Sequence, residues 1–332
     1  MSEDWSERPE GGGKSAIRLY TWIALHLGRS FARLLLVPVA AYFFLRRGPE
    51  RRAVRDFLVR AFGRAPRAWQ VLRSMHAYAA TTLDRIFLLS DSFRRFDIRV
   101  HGLADLHAQM DRRRGVLLLG AHVGSFEVLR VLGEQRPDVR ICVVMDRQQT
   151  PGLTETLQTL NPKLAANVID AGADPAELAL AMHDAARDGA LIGLLGDRAR
   201  PGEGLCDVEF FGARAAFPVA PYLIASLLAV PVVLCFGLYR GGNRYELVFE
   251  PFTDAIDIPR AQRRTAVAAL IRRYAERLEH FARLAPYNWF NFYDFWDSAH
   301  VAAPDAAALA VAPANAAVDD AAGVQPGTLR RA

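Results

Sequence analysis

Residues 116–127 read Val116-Leu117-Leu118-Leu119-Gly120-Ala121-His122-Val123-Gly124-Ser125-Phe126-Glu127. Val116 to Leu119 is an apolar run of strand length with no polar position, the pattern of a strand buried on both faces. Gly120 and Gly124 bracket a tight loop, and a helical pattern follows from Ser125 toward Arg136. A strand, a glycine-bearing loop and a helix in that order form the repeating unit of an α/β sheet. The same loop carries chemistry. A histidine, whose unperturbed pKa is about 6.5, is suited to taking a proton from a hydroxyl, and a carboxylate on its far ring nitrogen fixes the tautomer. Five helical steps set His122 and Glu127 about 140° apart, so they converge only with His122 in the loop and Glu127 in the first turn. A loop histidine satisfied by a backbone group is the bland alternative.

Downstream, Ile141 to Met145 and Leu191 to Leu195 repeat the buried-strand pattern, separated by a helix that opens at Asp174-Pro175 and runs through Leu178 and Met182 to Arg187. Val230 to Leu238 and Tyr245 to Phe249 form two further strands around a Gly241-Gly242-Asn243 turn, and a long helix spans Ala261 to Leu284. The expected fold is a mixed central sheet flanked by helices.

Four segments follow from composition: a loose polar tail at 1–15, a membrane-associated helix at 16–48, the main domain at 49–298 and an alanine-rich disordered tail at 299–332. Within 16–45 the polar residues Arg18, His26, Arg29 and Arg33 fall in an arc of about 80°, a narrow cationic stripe on an otherwise apolar helix. Only Leu34 to Leu45 is free of charge and it contains Pro38, so a shallow in-plane helix is favoured over a spanning signal anchor. Between Arg46 and Arg73 stand nine arginines against only Glu50 and Asp56. That excess suits anionic headgroups or an acidic partner. The expected location is the cytoplasmic face of the bacterial inner membrane. Three widely spaced cysteines fit reduced thiols. With no zinc spacing and no phosphate loop, no metal or other cofactor is expected. The aromatic residues of 287–296 are not interleaved with basic ones, and no nucleic-acid partner is expected.

The His122-to-Glu127 loop resembles the histidine, four residues, then acid motif of the lysophospholipid and lipid A acyltransferases, and the resemblance runs from about residue 20 to 298. Val143-Val144-Met145-Asp146-Arg147 resembles the family strand ending in an anion-binding arginine. Leu194-Leu195-Gly196-Asp197-Arg198 with Val208-Glu209-Phe210-Phe211-Gly212 resembles the later block. Ala216-Phe217-Pro218 through Pro231-Val232-Val233 looks like the last one. The likeness is greatest to a branch found with aryl-polyene or xanthomonadin-type synthesis, whose members end in a segment like Asn288-Trp289-Phe290-Asn291-Phe292-Tyr293-Asp294-Phe295-Trp296. That segment reads equally as an interfacial belt or a buried strap. Where lipid A enzymes have an Asp-His type pair this chain has Asp197-Arg198, so the resemblance carries the reaction class rather than the acceptor.

The resemblance implies a glycerol-phosphate acyltransferase-like fold and transfer of a fatty or aryl-polyene acyl chain from an acyl-carrier-protein or coenzyme A thioester to a hydroxyl of a lipid or glycolipid. His122 is expected as general base with Glu127 as its partner, Arg147, Asp197 and Arg198 as substrate-binding residues, and backbone N–H groups near Gly124 as oxyanion donors. A thioesterase and a non-catalytic lipid-binding protein are the rival readings.

Overall fold

The computed structural model describes residues 22–296 apart from 91, 113, 201, 257 and 259–261. Both expected tails, and Arg18 of the cationic stripe, lie outside the described residues.

Ahead of the sheet, the described residues form a helical turn at 22–27 and then the longer helices α1 (Arg29–Arg46), α2 (Gly48–Phe62) and α3 (Ala68–Leu89). After them come β1 (Asp97–His101), α4 (Leu103–Met110), β2 (Val116–Gly120), a 3₁₀ turn (Phe126–Leu129) running into α5 (Arg130–Gln135), and β3 (Ile141–Met145). Then follow α6 (Pro151–Leu160), α7 (Pro162–Ala166), β4 (Val168–Asp170), α8 (Pro175–Arg187) and β5 (Leu191–Leu195). The hairpin β6 (Leu205–Phe210) and β7 (Ala213–Pro218) stands apart, and α9 (Ala220–Leu228), β8 (Val232–Tyr239), β9 (Arg244–Thr253) and α10 (Arg263–Leu284) complete the domain.

Seven strands make one sheet in the order β1-β9-β8-β2-β5-β3-β4. All neighbours are parallel except β8 and β9, which are antiparallel, so the sheet is mixed as expected. Successive side chains of a strand face opposite sides, and β2 divides the core accordingly. Leu117 and Leu119 pack with Met182 of α8 and Ile271 and Tyr274 of α10, whereas Val116 and Leu118 pack with Leu83 and Phe87 of α3 and Leu106 of α4. That explains why the stretch is apolar at every position. The helix start at Asp174 is also present, its carboxylate accepting from the Ala176 N–H at 2.9 Å.

The N-terminal helix departs from expectation. Arg29 forms a bidentate pair with Asp84 at 2.7 and 2.8 Å, the Tyr245 hydroxyl donates to the same carboxylate at 2.8 Å, and Arg33 donates to the Tyr239 hydroxyl at 2.7 Å. Asp84 is fully buried, and a buried carboxylate without a cation costs several kcal/mol, about 3–5 for breaking such a pair. Arg29 and Arg33 therefore lie on the inner face of α1, held to α3 and β8, while His26 stays exposed and the outer face of α1 carries Leu34, Val37 and Leu45. Sequence periodicity locates a polar arc but not which side of it meets the protein. Among the described residues no helix is long and apolar enough to cross a membrane. The expected placement at the inner membrane is corrected to that extent: no described helix can anchor the chain across a bilayer, and Arg29 and Arg33 are committed to the protein rather than to headgroups.

Candidate active site

Parallel register brings the first pair of functional groups together. Strands β2 and β5 are neighbours with Gly120 opposite Leu195, so the residues two beyond each strand end, His122 and Asp197, arrive side by side at the carboxyl edge of the sheet, where open α/β sheets place ligands. His122 Nδ1 lies 2.8 Å from Asp197 Oδ1, and the His122 backbone N–H donates to both carboxylate oxygens at 3.2 and 3.1 Å. Trp289 Nε1 donates to Oδ2 at 3.2 Å. Asp197 is 1% exposed, while the His122 side chain keeps about a third of its surface open.

These contacts set the protonation states. Burial opposes ionisation of Asp197, but the His122 ring beside it, the hydrogen bonds from that residue and the Arg198 charge outweigh burial and hold the carboxyl down to about 2. Burial, then the Arg198 charge, lowers the His122 pKa below its ordinary value, against the raising effect of Asp197. A neutral imidazole with Nδ1–H directed at an ionised carboxylate has its basic lone pair on Nε2.

Glu127 is not the partner of His122. Its carboxylate accepts from Ser125 Oγ at 2.7 Å and pairs with Arg85 Nε of α3. The chain turns away after Gly124 into the 3₁₀ turn, and the ring nitrogen that Glu127 was expected to hold is already taken by Asp197. Asp197, expected to bind substrate, is thus the histidine's orienting acid. Arg147 lies apart from His122. Its guanidinium donates to the Val168 carbonyl at 2.9 Å and its N–H to Asp170 at 3.3 Å, and it is not among the residues lining the groove described below. Arg198 is at the site, donating to the Phe290 carbonyl with its guanidinium over the Tyr293 ring.

Gly124 lines the groove, but its N–H is spent on the Asn288 carbonyl at 2.9 Å. Its φ is +67°, and a Cβ there would sit 1.9 Å from the Gly237 carbonyl oxygen of β8, while a Cβ at Gly237 would sit 2.0 Å from the Ser125 oxygen. The loop crosses β8 at a distance that only two facing glycines allow.

The aromatic segment is a buried strap. Phe290 N–H donates to the His122 carbonyl at 2.9 Å, the Asn288 side chain accepts from the Tyr239 N–H at 2.6 Å, and Trp296 Nε1 donates to the Phe210 carbonyl at 3.1 Å. Trp289 itself is wedged edge-on against Phe57 and Phe210. Trp289 and Arg85 are the functional neighbours that sequence reasoning did not assign; the aromatic density around Trp289 marked the segment without giving its contacts.

His122, Arg85 and Arg198 all line one groove of about 2250 Å³, whose apolar walls include Leu36, Val39, Ile86, Leu89, Leu153 and Leu157. A desolvated base with an oriented tautomer at the side of a long apolar trough is an arrangement for proton abstraction next to a bound alkyl chain. No curated protein matches the chain. Residues 8–298 match the family model described as bacterial lipid A biosynthesis acyltransferase, and the chain, an acyltransferase on that basis, belongs to this family.

Proposed function

We propose that the protein transfers a fatty or aryl-polyene acyl chain from an acyl-carrier-protein or coenzyme A thioester to a hydroxyl of a lipid or glycolipid, with His122 as general base and Asp197 as its orienting acid. The observation that carries this reading is the His122–Asp197 contact opening onto the apolar groove. The acyl chain lies against Leu36, Ile86 and Leu157, leaving the thioester carbonyl beside His122. Nε2 takes the proton of the acceptor hydroxyl as its oxygen attacks the carbonyl carbon. The tetrahedral intermediate then collapses, the carbon–sulfur bond breaks, and the imidazolium returns its proton to the departing sulfur. Asp197 stabilises the transient positive charge without itself accepting the proton. Glu127 contributes at one remove by holding Arg85 at the groove. The arginines between 46 and 73 offer an acidic carrier protein a docking surface, although several of them, including Arg60 over Trp296 and Arg73 over Tyr287, also lie on aromatic rings.

The test is thiol release from palmitoyl-acyl carrier protein by wild type and by His122→Ala, with and without an extract of bacterial membrane lipids. The expected result is release that needs both His122 and the extract, falling about 10²- to 10⁴-fold in the variant. Release that ignores the extract would mean a thioesterase, and full activity in folded His122→Ala would remove the base assignment.

A further inference from the structure

Acyl transfer through a tetrahedral intermediate needs hydrogen-bond donors for the oxygen that becomes negative, and such donors are among the largest contributors to rate. The loop at the site has no backbone donor to spare between 122 and 125. His122 N–H is on Asp197, Val123 N–H on the Ala121 carbonyl at 2.7 Å, Gly124 N–H on Asn288, and Ser125 N–H on the Gly237 carbonyl at 2.8 Å. The expected backbone oxyanion hole near Gly124 is therefore filled by the protein itself, and a side chain has to take its place.

Two cations line the groove close to His122. Arg85 is paired with Glu127, which offsets its charge. Among the described residues Arg198 makes no carboxylate ion pair, and it follows Asp197 directly in sequence. Its guanidinium is anchored at one amino group by the Phe290 carbonyl and on its face by Tyr293, so it is oriented before substrate arrives. Its Nε is buried and without a hydrogen-bond partner among the described residues. The guanidinium is thus held in place at the groove by two contacts that leave its remaining N–H groups without a protein acceptor among the described residues.

Building on the acyl-transfer reading, we propose that Arg198 is a catalytic residue whose guanidinium donates to the thioester carbonyl oxygen as it becomes the oxyanion, rather than an anchor for the acceptor headgroup. The charge grows on that oxygen when the acceptor oxygen adds and is lost when the carbon–sulfur bond breaks, so the contact is strongest in between. The strap thereby serves both halves of the reaction, with Trp289 on the base's partner and Phe290 on the oxyanion donor. The same guanidinium charge adds to burial, the larger cause, in lowering the His122 pKa.

Steady-state thiol release from palmitoyl-acyl carrier protein, titrated against both donor and membrane-lipid extract, separates the roles. Arg198→Ala is expected to lower kcat by about 10²- to 10³-fold while the donor KM and the half-saturating amount of extract stay within about threefold of wild type. Added methylguanidinium is expected to restore part of the lost kcat in Arg198→Ala and none in His122→Ala, which a purely structural role for Arg198 would not produce. A kcat within about threefold of wild type would overturn the proposal. So would a loss confined to the half-saturating amount of extract, which would return Arg198 to headgroup binding, or a variant that has lost its wild-type melting transition and shows no rescue. If wild type shows no His122-dependent transfer, the acyl-transfer reading fails first and this inference falls with it.

Discussion

Asp197→Asn is the substitution that isolates the catalytic pair, because it preserves shape and changes only charge and one donor. The buried carboxylate accepts from three N–H groups, the ring Nδ1–H and backbone N–H of His122 and the indole of Trp289. An asparagine has one oxygen to offer. With that oxygen toward the His122 ring, its NH₂ faces the indole N–H and shares the backbone N–H, donor against donor in a buried site, at about 1–3 kcal/mol for each unmade bond. With the amide turned over, the oxygen satisfies the indole and the NH₂ donates to Nδ1, which drives the ring proton to Nε2 and removes the lone pair that takes the acceptor proton. The second arrangement leaves fewer donors stranded, so the variant folds with the wrong tautomer. Loss of the base is worth about 10²- to 10⁴-fold, roughly 3–5.5 kcal/mol at about 1.4 kcal/mol per tenfold. Thiol release from palmitoyl-acyl carrier protein with membrane-lipid extract measures it, with Glu127→Gln alongside. Glu127 does not touch His122, so Glu127→Gln is expected to lose only about tenfold, through an Arg85 left without its charged partner. An Asp197→Asn protein within about tenfold of wild type, or a Glu127→Gln protein worse than Asp197→Asn, would refute the pairing.

Because burial and Arg198 lower the His122 pKa, the base is deprotonated through neutral pH. kcat/KM should rise with pH through an inflection below about 6.5 and be flat above it, and an inflection above that value in the pH–rate profile would contradict the geometry. Trp289→Phe keeps the ring packed against Phe57 and Phe210 but removes the indole donor to Asp197, a hydrogen bond to a charged group worth about 1.5–3 kcal/mol; urea unfolding with a loss under about 0.5 kcal/mol would show the contact to be idle. Asp84→Ala strands Arg29 and Arg33 beneath α1 and is expected to cost about 3–5 kcal/mol of stability, read from the unfolding midpoint, with an unchanged midpoint as the refuting result.

The buried strands and the reactive histidine were legible because both depend on local pattern. Val116 to Leu119 has no polar position because both faces of β2 are covered, and the glycines of the loop announce a bend whose reason, the close crossing at Gly237, is not local. The hairpin β6–β7 and the strand β1 escaped notice because neither is an apolar run; β1 alternates strictly, Asp97-Ile98-Arg99-Val100-His101, as the edge strand of the sheet beside β9. The cationic stripe of α1 was legible as a stripe and misassigned in direction, since its partner Asp84 stands 55 residues from Arg29.

The identity of the histidine's acid turns on the same difference between sequence distance and register. Glu127 is five residues from His122 and looks like its partner, whereas Asp197 is 75 residues away and is brought in by the pairing of two parallel strands whose ends coincide. Reading that from the chain requires aligning Val116-Leu117-Leu118-Leu119-Gly120 on Leu191-Ile192-Gly193-Leu194-Leu195 and noting that each is followed two residues later by a group that titrates. A sheet neighbour is also the better source of an orienting acid. Its position is fixed by backbone hydrogen bonds on both strands, while an acid in the turn after the loop moves whenever the loop moves. The motif's own carboxylate is then left to hold a cation from α3 against the groove, and a chain that kept His122 and Glu127 but lost Asp197 would keep the motif and lose the base.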